Sequence, residues 1–371
     1  MPATQPPQLT HAERIRQLTG DRQRILNQPP EHMLAAILAH PQPAALVHAF
    51  PEADLHVMIH DIGLENAIPL IGLASNRQWE YLLDVEVWHR DRLDHGQTTL
   101  WLQLLLTAAP DRLAKWFFDD KLKLLELYLF RNIELRIRES DQAPSDFGEG
   151  FFTDDDTFYI RYVDYPASTP EAATAKAQRN EMIGQLLRRL SIFDHPRFQG
   201  MLMEAVSLIP SETEEELYRL RNIRLGEKGL LPFEEAIGVY QPLRPGDLAA
   251  RGKKVFRPPP PEGAQLPVPQ FAASFLEGDN LFVRALKRIN QSHIIDQLQA
   301  ELAALCNQVI TADQLIVRRR DQLKPVVAKV SGYLSIGLEL MIAESDSNRE
   351  PMAADRLRRH LLADIFKIGF A

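Results

Sequence analysis

A chain of 371 residues exceeds what a single hydrophobic core of roughly 250–300 residues usually serves, so more than one domain is expected. Hydrophobic content of 45% and charged content of 25% are those of a folded chain, and a net charge of −8 argues against nucleic acid as a partner, because non-specific binding neutralises phosphates. The single cysteine, Cys306, excludes an intramolecular disulfide and a cysteine-based zinc site.

Residues 1–9 are polar and proline-rich and read as a disordered tail, without the basic-then-apolar plan of a secretion signal. The longest weakly polar runs, Trp101–Ala109 and Gly332–Ala343, fall well short of the ~20 residues that cross a bilayer. A cytoplasmic chain with no membrane span is the expectation.

Thr10-His11-Ala12-Glu13 fits a capping box and opens a short helix with Ile15, Leu18 and Ile25 on its apolar face. Pro29-Pro30 ends it, and Pro30 suits the first turn of the next helix, which carries Met33, Leu34, Ile37 and Leu38. From Ala44 to Leu129, three segments can be laid over one another. Leu46-Val47, Leu70-Ile71 and Leu104-Leu105 correspond, followed by Leu55, Trp79 and Leu113, and then by Met58-Ile59, Leu82-Leu83 and Trp116-Phe117. Each segment reads as an apolar helix, a turn (Pro51, Ser75-Asn76, Pro110-Asp111) and a second apolar helix. Such hairpins bury their apolar faces by stacking on a neighbour, which predicts an irregular superhelix. A dense apolar helix, Leu122–Ile137, closes the array, and no strand is expected before Glu139.

Ser140–Gly150 turns to Asp, Ser, Pro and Gly, a junction. Phe151-Phe152 and Phe158–Val163 then flank an acidic turn in aromatic, β-branched language, predicting one small β-hairpin near 151–163. Helices follow at Thr169–Ile192 and Pro196–Leu208, then from the capping box Ser211–Glu214 to Gly226, and at Pro232–Tyr240. Gln241–Gln270, with Pro258–Pro261 at its centre, has no helical period and reads as an extended linker. One long helix is expected from Leu281 to Val309, a restart at Thr311–Gln314, a helix from Asp321 with Pro325 in its first turn, and a last helix over Ala353–Phe366. The chain is thus expected to be mainly α. The expected parts are a superhelix at 10–139, a helical domain at 140–240 with the hairpin, a proline-rich linker at 241–270 and a C-terminal helical bundle at 271–371.

The stretches Trp79–Asp94, Thr153–Val163, Leu217–Leu225, Cys306–Asp313 and Val330–Leu340 resemble a bacterial family recorded only as a domain of unknown function, seen mainly in anaerobic, metal- and sulfate-reducing lineages. The likeness covers roughly Thr10 to Phe370 and implies no activity, substrate or catalytic residue. Members of that family continue past the last helix here, so the resemblance implies a shortened C-terminal domain. Residues 41–120 are more distantly similar to the cytosolic N-terminal superhelix of MgtE-type magnesium transporters and to flagellar switch proteins. There the module senses magnesium or makes protein contacts. Likeness of fold does not establish function.

His56 and His60 lie four apart on one helix face, a spacing that can hold a metal, and Asp61 is the neighbouring acid. His-Glu-x-x-His is absent, and the residues name no third ligand, so surface or core histidines are the plainer reading. Asp154-Asp155-Asp156 lacks the glycine and distant glutamate of a calcium loop and reads as a solvated turn. Arg318–Arg320 with Arg356, Arg358 and Arg359 offers a basic patch or simply solvated helix faces. Cys306, among apolar helical neighbours, reads as a buried inert thiol. Phosphate-binding, dinucleotide-binding and nucleophile-elbow motifs are missing, which leans against an enzyme, and no cofactor is implied.

The leading expectation is an interaction or scaffold protein that binds a protein partner through its superhelix, with Trp79, Trp88 and Trp101 as anchors if they are exposed and as core residues if they are not. The alternatives are a divalent-metal- or ligand-responsive regulator and an enzyme with a site between the first two domains. The C-terminal helices offer a route to a homo-oligomer.

Overall fold

The computed structural model describes residues 10–166, 168–205, 209–251, 254–256, 268–342 and 348–371. The expected tail at 1–9 and the centre of the proline-rich linker lie outside the described residues. The fold is mainly α, with two small antiparallel strand pairs among the described residues. Its compact units do not follow the expected sequential division. One combines the described parts of Met1–Tyr81 with those of Asn222–Ala371, and the other is Leu82–Arg221.

The first unit opens with α1 (His11–Leu26), where Thr10 Oγ1 accepts the Glu13 N–H at 3.3 Å and Glu13 Oε2 accepts the Thr10 N–H at 2.8 Å. This is the expected capping box. Short helices follow: α2 (Pro30–Leu38), α3 (Pro43–His48), α4 (Glu52–Ile62), α5 (Ile68–Leu73) and α6 (Asn76–Glu86). Proline in the first turn of α2, α3 and α5 starts each helix where a missing N–H costs least. Helices two apart in sequence pack together, α2 on α4 and α3 on α5. Gln78 ties two of these elements. It forms a reciprocal cap with Ser75 at the start of α6, and its Nε2 donates to Val47 O at 2.8 Å and Phe50 O at 3.0 Å, satisfying carbonyls at the end of α3.

The second unit contains β1 (Trp88–His89) paired with β2 (Arg92–Leu93), then α7 (His95–Ala108) and α8 (Pro110–Trp116). Phe117–Lys121 continues α8 as a π-helical turn into α9 (Leu122–Asn132). Every position paired in the three overlaid segments is buried, from Leu46 and Leu55 to Trp116 and Phe117. The expected end of the last helix is corrected: α9 stops at Asn132, whose Nδ2 donates to Tyr128 O, and Ile133–Ile137 forms β3. Its antiparallel partner is β4 (Phe158–Tyr162), with Leu135 opposite Ile160. The expected hairpin partner, Phe152, contributes a single bridge to Ile160 on β4. Helices α10 (Pro170–Phe193), α11 (His195–Ala205) and α12 (Pro210–Gly226) follow, with α10 packing on α7 and α8 and α11 on α9.

The first unit resumes with α13 (Phe233–Ala236), α14 (Phe271–Ser274), α15 (Leu281–Lys287), α16 (Ser292–Ala312), α17 (Arg320–Leu340), α18 (Arg349–Arg359) and α19 (Leu362–Phe370). The single helix expected over Leu281–Val309 is therefore two, as is the one expected over Ala353–Phe366. Thr311–Gln314 ends a helix instead of starting one: Asp313 is the C-cap of α16, and Gln314 has a φ of 53°. The tightest packing is between α17 and α19. A Cβ on Gly337 would lie well inside contact with Ile365 O, and one on Gly369 would meet Tyr333 O, so only glycine permits this approach.

Candidate functional site

One turn of α4 separates His56 from His60 and brings their ring centroids to 4.8 Å with the planes 73° apart. His56 is buried, and the Tyr81 ring stands 6.3 Å away. The two imidazoles offer neighbouring nitrogens of the kind that bind transition metals. Asp61 does not join them. A helix advances about 100° per residue, so Asp61 leaves the histidine face, and its carboxylate takes Arg320 Nε at 2.5 Å and the Arg320 N–H at 3.3 Å. Arg320 also donates to the carbonyls of Leu26 and Gln28, so one member of the arginine run, expected as a basic patch or as solvated helix faces, goes to an interior tie. Arg359 pairs with Asp355.

The three tryptophans fall in different environments. Trp79 and Trp101 are fully buried, and Trp79 Nε1 donates to Ile71 O at 2.8 Å. A binding anchor has to be reachable, so these two serve the core. Trp88 is half-buried in the second unit, with its ring 5.6 Å from Tyr218 and 5.7 Å from the Arg221 guanidinium.

The acidic turn is organised around its own backbone. Asp155 accepts the N–H groups of Thr157 and Phe158 and Gln199 Nε2, while Asp156 pairs with Arg138 and accepts the Tyr159 hydroxyl. Burial alone would raise the Asp155 carboxyl, but these hydrogen bonds outweigh it and hold the group below its ordinary value. Burial pushes the Cys306 thiol up to about 12, which leaves no thiolate at neutral pH.

Two partly buried polar clusters escaped the sequence reading. Glu214, expected as part of a capping box, instead takes the Leu93 N–H at 2.9 Å, Arg92 Nη1 at 2.8 Å, and Arg131 Nη1 and Nη2 at 2.9 and 2.7 Å. Burial opposes its ionisation, yet these four donors hold its pKa down to about 2. Tyr240, Lys329 and Asp313 close a triangle with all three sides at 2.7 Å. The tyrosine and the lysine are both raised above their ordinary values, the former by burial and the latter, against burial, by its bonds to Asp313 and Tyr240, so neither is poised to act as a base. No local signal announces either cluster, because the partners of Glu214 lie 83 to 122 residues away in the chain.

What the fold defines is a mainly α-helical protein in which, among the described residues, no helix is long and apolar enough to cross a membrane. Residues 11–371 match the family described as Family of unknown function (DUF6178), and the chain belongs to it. No curated protein and no solved structure matches the chain.

Proposed function

We propose that this is an interaction protein whose stacked helical hairpins bind a protein partner. The observation that carries the reading is the layering of the N-terminal helices, α2 on α4 and α3 on α5. Stacks of short helices in this order turn their inner faces into a continuous core and leave an extended outer surface, the form that many helical repeats use for recognition. Leu38, at the end of α2, stands 46% exposed on that surface. The test is a tagged pull-down from host extract, with and without Mg²⁺, using wild type and a Leu38→Asp variant of unchanged melting temperature. A stoichiometric partner held by the wild type and lost by the variant supports the reading. A clean bait in both buffers, or equal capture by the variant, refutes it.

A second reading, a divalent-metal-responsive regulator, is favoured by the edge-to-face pair of His56 and His60. Binding to the folded state alone would raise the melting temperature with occupancy. No shift across micromolar Zn²⁺ and millimolar Mg²⁺, or an equal shift in His56→Ala, removes this reading.

A further inference from the structure

Strand β3 leaves one edge open. On its other side the Val163 N–H donates to Asn132 O and the Arg138 N–H to Thr157 O, both at 2.9 Å, with Glu134 opposite Arg161 and Arg136 opposite Tyr159 between them. The far side of β4 is met by Phe152, which exchanges bonds with Ile160 at 2.9 and 2.8 Å. Alternate residues of an antiparallel ladder turn their N–H and C=O groups the opposite way, so Leu135 and Ile137 present theirs to the outer side of β3. Among the described residues no strand pairs there, and no group accepts either N–H. Arg136 and Ile137 are exposed and Leu135 is half-buried, so a second chain can reach this edge. Proline and bulges, which guard many edges, are absent from Ile133–Ile137.

We propose that β3 pairs antiparallel with β3 of a second copy of this chain, about a two-fold axis at Leu135, joining the two small sheets into one. The sequence Ile133-Glu134-Leu135-Arg136-Ile137 is its own complement in that register. Leu135 faces Leu135, Ile133 faces Ile137, and Glu134 of either copy stands opposite Arg136 of the other, at a Cβ separation of about 5 Å. Within one chain Glu134 Oε1 already accepts Arg136 Nε at 2.9 Å and Nη2 at 2.7 Å, so exchange across the axis replaces an ion pair with its equivalent. The backbone agrees with the charges. Leu135 faces outward, so the two copies exchange N–H···O bonds at the axis, and the Ile137 N–H of each reaches the Ile133 carbonyl of the other. Moving the axis by one residue, to Glu134 or to Arg136, sets glutamate against glutamate or arginine against arginine, which selects the register centred on Leu135. Pairing also covers Ile137, which is 40% exposed in the single chain. This edge belongs to the second unit and is independent of the helical surface proposed above.

Sedimentation velocity of the full-length protein over about 10–200 µM, a range suited to an interface below roughly 1,200 Å², tests this. The wild type should show a concentration-dependent equilibrium between monomer and dimer. Arg136→Glu and Glu134→Lys each set like charges across the axis, so each alone should weaken dimerisation about tenfold or more. An equimolar mixture of the two variants should restore the dimer, because they complement one another. Leu135→Pro removes the outward N–H without touching the β3–β4 bonds and should abolish the dimer; it decides the matter if a charge variant does not fold. A wild type that stays monomeric at about 200 µM, whatever other chain binds the edge, overturns the proposal. So does a dimer undiminished by Arg136→Glu or by Leu135→Pro, or a mixture of folded charge variants that stays monomeric.

Discussion

Replacing Glu214 by Gln isolates the charge cluster built on this buried carboxylate of the second unit. The wild-type carboxylate, 2% exposed at its side chain, has its pKa lowered from 4.5 to about 2. A depressed carboxyl contributes stability above its unfolded pKa and loses it as the pH falls through the folded one. At pH 7 the displacement is worth about 3 kcal/mol, and at pH 3 about 1 kcal/mol remains. Glutamine keeps the shape but offers one acceptor oxygen to four donors. Arg131 is only 21% exposed at its side chain and so bears most of the loss, whereas Arg92 at 66% can turn to water. Urea unfolding of wild type and E214Q at pH 7 and pH 3 should therefore show a gap of about 3 kcal/mol that narrows by about 2 kcal/mol in acid. An equal gap at both pH values would show that the loss is one of packing and not of charge. A gap below about 1 kcal/mol at pH 7 would refute the assignment altogether.

Gly337→Ala and Gly369→Ala should each lower stability by about 3 kcal/mol or more in thermal or urea unfolding, because the new methyl meets backbone carbonyls that cannot rotate away; a loss below about 1 kcal/mol in either would contradict the close approach of α17 and α19. Gln78→Ala removes the acceptor of the Ser75 N–H and the donor to Val47 O and Phe50 O, and should cost about 2 kcal/mol, read as a shift of the urea midpoint. Cys306 should ignore a thiol reagent in the native protein and react fully in denaturant; prompt native reaction would contradict its burial. Of the four tryptophans, three are buried, so acrylamide should quench a minor fraction of the native fluorescence, and Trp88→Phe should abolish that fraction.

Local chemistry was legible in the sequence, and remote chemistry was not. The capping box at Thr10 and Glu13 and the Thr169 cap of α10 need only residues three apart, so the pattern and the hydrogen bonds coincide. The burial of Leu46, Leu55, Met58 and their counterparts follows from helical periodicity alone. Strand β3 was hidden despite its alternation, Ile-Glu-Leu-Arg-Ile, because the leucine-rich helix α9 runs directly into it without proline or glycine. His56 and His60 were visible as a pair because a helix fixes their spacing. That Asp61 turns away to Arg320, 259 residues further on, was not.

The break inside the helix expected over Ala353–Phe366 has a physical cause that two other helix starts of the first unit share. Three helices of the first unit begin without a side-chain cap from their own N-cap residue, and a buried or partly buried acid far along the chain supplies an acceptor. Asp54 takes the Phe271 N–H at the start of α14, Asp61 takes the Arg320 N–H at the start of α17, and Glu301 takes the Leu362 N–H at the start of α19. The first turn of a helix leaves its N–H groups unsatisfied and carries a partial positive charge, so a carboxylate from elsewhere caps it as well as a neighbouring serine would. Glu301 shows the arrangement most fully, since it also accepts from Lys254, whose side chain is 1% exposed. The start of α19 leaves no local motif, and for that reason Ala353–Phe366 reads as one helix although the chain breaks at His360–Leu361. The same acids join distant parts of the chain. Removing any one of these acids should therefore loosen a helix start and a tertiary contact together, which makes them cross-links of the fold and not surface charges.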